Sequence, residues 1–535
     1  MVERLRFFPA GTDGLLVELD GLETTMTLLD ALQADRPGGV LELVPAARTL
    51  LVRFDARITT RIALADAISR IDLSHRSKRQ GETFEIPVTY EGEDLSDVAE
   101  LLGWHVEELV RRHTEATYTV AFTGFAPGFA YMTADDAAFD VPRRKSPRVR
   151  IPEGSVALGG RFGGVYPTDS PGGWQLLGRT PLKMWDTNRS RAAFLAPGDR
   201  VRFRDMAKGA SVPVSAVPAA SRACNPASSN VEGLLVTRVD RSALFQDLGR
   251  PGHAGQGLSG SGALDRRSLI EANLCVGNPR GSAALEIAYG GFAIKADRPV
   301  TLAVTGATTK PTIRTTDGRS LSVRTGQPFA LDAGDELTLE FPTEGTRSYL
   351  SIRGGFAVEM VLGSAATDTL AKVGPNPVVA GDVLVPAIEP VSAVDPDRPV
   401  PGKLPRAGDT VTLDVILGPR TEWFTDNGLT TLLAQEWHVT AESSRVGVRL
   451  AGAVALERTD SAELDSEGTP VGAIQVPYSG QPVLFLADHP LTGGYPVIGV
   501  IAGYHLDLAG QIPIGGKIRF NALAAFDPVL REPQR

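Results

Sequence analysis

Two stretches of this sequence repeat each other in order. Gly154-Ser155-Val156-Ala157-Leu158 precedes Gly172-Gly173-Trp174-Gln175-Leu176-Leu177-Gly178, and "LAPGDRVRF" closes the unit at Phe203. About 320 residues later, Gly472-Ala473-Ile474-Gln475-Val476 precedes Gly493-Gly494-Tyr495-Pro496-Val497-Ile498-Gly499, and "IPIGGKIRF" closes at Phe520. A strand, a Gly-Gly-aromatic loop, a strand and a closing strand recurring in one order predict a duplicated β unit. The strands around these stretches are punctuated by Gly and Pro with almost no helix between them, which predicts a β-barrel. The expected fold is therefore mainly β, with two barrel modules.

At 535 residues the chain is too long for one core. Residues 1–85 alternate strand-like runs with helical runs at Thr25–Ala34 and Ile62–Ile71, which predicts a small α+β unit of the split βαβ type. The first barrel is expected over 86–205. An Ala/Ser/Pro-rich linker is expected over 206–231, and a second half carrying the second barrel over 232–535. The Pro-rich stretch 385–409 reads as an extended loop within that half.

A net charge of -9 argues against nucleic acid or an anionic membrane as the main partner. Two cysteines, Cys224 and Cys275, cannot build a disulfide framework, and the seven histidines show no metal-ligand spacing, so no metal is predicted. The charged N-terminus lacks a signal-peptide pattern, and no run of eighteen apolar residues occurs. A cytoplasmic protein is expected.

Gly172 and Gly173 allow a close backbone approach while Trp174 must bury itself against a rigid wall, the arrangement of a binding loop or of an ordinary turn over a core Trp. Gly493, Gly494 and Tyr495 are its counterparts, and Gln475, on the strand that precedes them, is a further binding candidate. "FTGFAPGFAYM" displays Phe125 on a Pro-Gly turn, as a pocket lip or a core turn. Arg143, Arg144, Lys145, Arg148 and Arg150 cluster in "PRRKSPRVR"; Arg148 and the later Arg179 are candidate anion ligands, the alternative being a solvated strand edge.

"GQGLSG" ending at Gly260 matches a dinucleotide fingerprint but follows a turn rather than a strand and lacks the distal acid, so that reading is rejected. What remains is a glycine-rich loop entering a helix over Gly262–Val276, whose N-terminus is expected to hold an anion. Gln246, Asp247, Arg250 and His253 crowd one Gly/Pro turn. There Arg250 would clamp a carboxylate and His253 would move a proton, unless Asp247 simply pairs with Arg250. Glu286, Glu467, Asp488 and His489 are further acid/base candidates, each with a surface ion pair as the alternative. Lys183, in "LKM", reads as structural. The barrels are expected to face one another across a cleft lined by the Gly-rich loops.

"FTGFAPGFAYM", "GSVALGGRFGGVYPTDSPGGWQLLGRTPL" and "LAPGDRVRF" resemble the B subunit of bacterial 5-oxoprolinase, also described as allophanate hydrolase subunit 1 or the Kip kinase inhibitor. "LFQDLGRPGHAGQGLSGSGALDRRSLIEANLCVGN", "ALEIAYGG", "YLSIRGGF", "LGSAATDTL" and "SEGTPVGAIQVPYSGQPVLFLADHPLTGGYPVIG" resemble the C subunit, of the biotin-dependent carboxyltransferase family. The resemblance implies cyclophilin-like barrels and two normally separate subunits fused and paired within one chain. It also implies ATP-dependent opening of 5-oxo-L-proline, a lactam, to L-glutamate with a separate A subunit. The alternatives within the same family are transfer of CO2 from carboxybiotin to urea or a similar amide, as in urea amidolyase, which alone would involve biotin, and regulatory docking on a histidine kinase. Thr123, Val446 and Val448 stand where the family pattern varies or differs.

Overall fold

The computed structural model describes residues 5–73, 81–144, 146, 148–208, 232–394, 402–459, 462 and 464–531. The N-terminal sheet runs in the order Val40–Pro45, Thr49–Phe54, Gly14–Glu18, Leu5–Pro9, Val529–Arg531. Helices Leu22–Ala34 and Arg61–Ser69 lay Leu28, Leu29, Leu32, Leu64 and Ile68 on it, which is the apolar stripe the helical spacing predicts. Thr60 starts the second helix by accepting the N–H of Ala63.

The fifth strand of that sheet is supplied by the far end of the chain. Val529–Arg531 runs antiparallel to Leu5–Phe7, and Arg531 reaches Asp66 at 3.0 Å. Three residues are too few to carry a period, so nothing in the sequence marked this strand.

The first barrel links, in circular order, Gln175–Arg179, Ser155–Gly159, Phe162–Val165, Ala130–Ala134, Tyr118–Thr123, Arg200–Asp205 and Thr83–Val88. A bridge between Thr89 and Arg179 brings its ends together. The second links Val497–Ile501, Ala473–Gln475, Val483–Phe485, Gly447–Ala451, Trp437–Val439, Lys517–Ala522 and Thr410–Leu417 and is closed. The two circuits agree strand for strand, including the single parallel pair at the closing strand.

Register agrees as well. Gly178 faces Val156 as Gly499 faces Ile474, and Leu176 faces Ala157 as Val497 faces Gln475. Trp174 and Tyr495, each two residues before one of those partners, are equivalent positions. The duplication read from the repeat is thus present at the level of individual pairs.

Between the barrels in sequence lies a β-sandwich that the sequence reading did not separate from the second half. Its two sheets, of six and five strands spanning Leu234–Leu384, enclose one apolar core that includes Leu285, Phe292, Val304 and Leu350. The described parts of 385–409 carry no helix or strand. The expected linker, beyond a short turn at Met206–Lys208, lies outside the described residues. Among the described residues no helix is long and apolar enough to cross a membrane.

Deleting Val529 onward should cost about 2–4 kcal/mol, the value of a few ladder hydrogen bonds and an ion pair. Calorimetry should show the loss as a lower melting temperature.

Candidate functional site

In each barrel the Gly-Gly loop begins as a two-stranded ribbon. Ser170–Gly172 pairs with Arg148–Ile151, and Thr492–Gly493 pairs with Glu467–Gly468, so that Gly172 faces Arg148 as Gly493 faces Glu467. A buried ion pair clamps each ribbon to its barrel. In the first, Arg148 donates to both oxygens of Asp94 at 2.9 and 2.8 Å, and Asp94 also accepts from Arg144 at 2.6 Å and from the N–H of Leu176 at 2.7 Å. Burial raises the Asp94 carboxyl, but Arg148, the Leu176 N–H and Arg144 outweigh it and hold the group below its ordinary range.

In the second barrel the place of Asp94 is taken by Arg420: Asp94 N–H bonds Leu176 O, and Arg420 N–H bonds the equivalent Val497 O. Arg420 donates to Glu467 through Nε at 3.0 and 2.9 Å and to Glu18 of the N-terminal sheet at 2.8 Å. The polarity of the clamp is inverted between the barrels.

Two cavities of about 390 Å³ each open along the seam between the N-terminal sheet and the barrels. They share Arg48 and Asp465; one adds Arg420 and Glu467, the other Asp140, Arg143 and Arg161. Among the described residues Arg48 and Arg161 have no carboxylate partner, although Arg161 lies over the Phe162 ring at 5.4 Å. Asp140 and Asp465 likewise have none. Two uncommitted guanidiniums beside two uncommitted carboxylates suit a polar ligand that carries a carboxylate and an N–H.

Neither loop lines these cavities: Gly494 stands behind Arg143 and Leu464, and Trp174 behind Gly159. Trp174 is only 6 % exposed and packs edge-on against Phe129 and Tyr131, with centroids 5.3 and 5.5 Å away, so the wall exists. Tyr495 is half-buried against Tyr478, and its carbonyl accepts from Gln475 at 3.3 Å. A Cβ on Gly172 would collide with Tyr166 Oη, one on Gly493 would meet Gln475 Nε2 at 2.6 Å, and one on Gly494 would stand 3.4 Å from the Arg143 guanidinium. Gly173 O accepts the N–H of Arg144. Phe125 adopts φ 63 and gives its N–H to Thr492 Oγ1 at 2.9 Å, bringing the first barrel's turn onto the second ribbon.

Other expectations are corrected. Arg148 is committed to Asp94 and Glu93, so it serves as a tie and has no open face for an anion. Arg179 donates to Glu153 O and lines a separate cavity with Lys183 that shares no residue with the seam. Arg250 is 2 % exposed and donates to the carbonyls of Val361 and Ala366, while Gln246 donates to Thr367 O. Asp247 accepts from Gly249, Ser364 and Ala365 and makes no ion pair with Arg250. The cluster staples the 361–367 loop from within, where a substrate carboxylate has no access. His253 is half-buried, with Nδ1 3.4 Å from Gln256, and Gly260 O accepts the N–H of Arg250.

Glu286 and Asp488 are neither surface pairs nor open acids. Arg445 joins them at 2.5 and 2.9 Å; Tyr349 and Leu264 saturate Glu286, and Ser261 and Thr369 saturate Asp488. They form a strut between the sandwich and the second barrel. His489 is buried with its ring nitrogens 3.0 Å from Leu486 O and Thr469 O. Burial pushes its pKa down to about 4, so it is neutral at pH 7 and donates to one of the two. The expected helix begins later, at Arg266. Asp265 accepts the Ser268 N–H and Asp507 accepts those of Arg266 and Arg267, so the protein's own carboxylates fill the anion seat. Among the described residues no group of three His, Cys, Asp or Glu could hold a metal.

Sequence reasoning missed Arg48, Asp140, Arg161 and Asp465. Arg161 lay inside a motif already singled out, between two Gly-Gly pairs; the others sit on turns with no period to mark them.

Family models match both halves: carboxyltransferase domain, subdomains C and D, over residues 5–195, and subdomains A and B over residues 256–522. The chain is 33 % identical over 297 residues to the C subunit of 5-oxoprolinase from Escherichia coli K12, covering 54 % of this chain and 90 % of that protein. It is 35 % identical over 220 residues to the B subunit of 5-oxoprolinase from Escherichia coli O157:H7, covering 39 % of this chain and 99 % of that protein. The crystal structure of TTHA0988 superposes with a TM-score of 0.81 at 33 % identity, covering 95 % of this chain and 99 % of that one.

Two outcomes follow for stability. The unfolded chain protonates His489 below about pH 6.5, whereas the folded chain does so only near pH 4. Its contribution is therefore complete above pH 6.5 and falls as the pH drops through that window, by about 2 kcal/mol at pH 5. The stability difference between pH 7 and 5 from urea titrations should be about 2 kcal/mol smaller in His489→Gln than in wild type, a comparison that cancels the contributions of His113, pushed down to about 3, and Asp368, pushed up to about 7. Trp174→Ala should cost about 3–5 kcal/mol in the same assay.

Proposed function

From the premise that the chain belongs to the carboxyltransferase-domain family that includes the B and C subunits of 5-oxoprolinase, we propose that it is the fused B/C component of an ATP-dependent 5-oxoprolinase. The observation that carries this reading is that a B-like and a C-like match, each spanning at least 90 % of its relative, lie in one chain. The seam cleft then lies where the two halves meet. The enzyme is completed by a separate, ATP-handling A subunit.

The substrate brings a ring carboxylate, an amide N–H and an amide oxygen. Arg48 and Arg161 would take the carboxylate in bidentate fashion, and Asp140 or Asp465 would accept the N–H. This fixes which face of the ring is open to the partner. A lactam is resonance-stabilised, so ATP would activate it by phosphorylating its oxygen with release of ADP; water then adds to the ring carbon, phosphate leaves, and the ring C–N bond breaks to free the amine of glutamate. The product glutamate carries an ammonium and two carboxylates, which match the same set of Asp and Arg side chains. Arg143, behind Gly494, would couple loop position to the cleft.

The family description itself supports a second reading, carboxyl transfer from carboxybiotin to an amide. Millimolar biotin should then raise the melting temperature; no shift would remove that reading.

The main reading is tested by ATP-dependent release of glutamate from 5-oxoproline by the chain together with its A subunit, set against either alone. No gain on combining them overturns it. In that assay Arg48→Ala and Arg161→Ala should each raise KM about 10- to 100-fold while largely sparing kcat, the signature of a lost charge-assisted hydrogen bond made equally to ground and transition states.

A further inference from the structure

The two equivalent ribbons differ in what covers them. The second, Glu467–Gly468 with Thr492–Gly493, lies under the hairpin turn Pro45-Ala46-Ala47-Arg48 of the N-terminal sheet. Ala47 N–H donates to Ser466 O at 3.2 Å, and a Cβ on Gly468 would meet Leu51 at 2.7 Å. Arg48, at the tip of the turn, lines the same cavity as Glu467. A β-turn thus roofs an acidic ribbon and brings a cation to it.

The first ribbon has no such roof. Val149 is 92 % exposed, Arg150 and Pro171 are exposed, and among the described residues no third strand pairs with either edge. An apolar β-branched residue turned to water on an unpaired edge is what proteins ordinarily avoid unless another chain covers it. The ribbon's cations are already fixed in place: Arg148 by Asp94, and Arg150 by Asp169 at 2.6 Å. Lys372 adds positive potential beside Asp169.

We propose that this ribbon docks a β-hairpin turn of the ATP-handling partner, seated as the 45–48 turn is seated on the second ribbon and carrying a carboxylate where that turn carries Arg48. The opposite sign follows from the exposed cations of this face: Arg150, 74 % exposed, and Lys372 together outnumber Asp169, while Arg148 stays with Asp94. Main-chain pairing along the edge would supply affinity, and the charged tip would supply specificity. The inference rests on the reading that the chain works with an ATP-handling A subunit.

The test is the affinity of the full chain for that A subunit, measured by calorimetric titration, for wild type, Val149→Asp, Arg150→Glu and the β-compatible control Val149→Thr. Val149→Asp and Arg150→Glu should weaken binding at least tenfold, with unchanged melting temperatures, and Val149→Thr should bind as wild type. Glutamate release by the two weakened variants should recover at saturating A subunit. Unchanged affinity in both, or activity that saturation does not restore, overturns the proposal. A dimer of the chain alone that Val149→Asp dissociates overturns it too, because the ribbon would then serve self-association. If association with the A subunit is ribbon-dependent but yields no glutamate, the activity reading falls and the docking surface stands; if wild type does not associate with it, the docking surface falls.

Discussion

The Arg420 guanidinium is the point on which the seam depends. It is buried, it joins Glu467 of the second ribbon to Glu18 of the N-terminal sheet, and it lies over the Phe8 ring at 4.8 Å. Taking such a charge out of water is costly, and the cost is recovered only while both carboxylates stay in place. Losing the cation would leave two carboxylates facing each other in a confined space, a penalty of about 3–5 kcal/mol concentrated at the junction between first and second halves. Ribbon, cavity floor and N-terminal sheet are therefore positioned together.

The first barrel solves the same problem with the charges exchanged. Asp94 occupies the site of Arg420, and Arg148 that of Glu467. An exchange of this kind keeps the local attraction but prevents either ribbon from substituting for the other: a misplaced ribbon would set like charges together. Duplication gave two similar barrels, and the inversion makes them distinguishable.

How far the sequence could be read follows from the range of the interactions. The barrel strands were legible because alternation and Gly-Gly-aromatic punctuation act over a few residues, and the register of Gly178 and Gly499 follows from them. The burial of Trp174 was legible from its size. Arg250 was misread because a Gly/Pro turn looks exposed, whereas the 361–367 loop, over a hundred residues away, covers it. The helix start was misplaced because Asp265, not a glycine, supplies the cap. Arg48 and Asp465 meet at one cavity from opposite ends of the chain, a contact no local pattern encodes.

The strand Val529–Arg531 completes a sheet whose first member is Leu5–Pro9. During synthesis the opening strand must wait for more than five hundred residues before its neighbour leaves the ribosome. At ribosomal speeds that interval is roughly half a minute to two minutes. Through that time the outer edge of Leu5–Pro9 is an unpaired strand on an otherwise folded unit, open to pairing with another nascent chain.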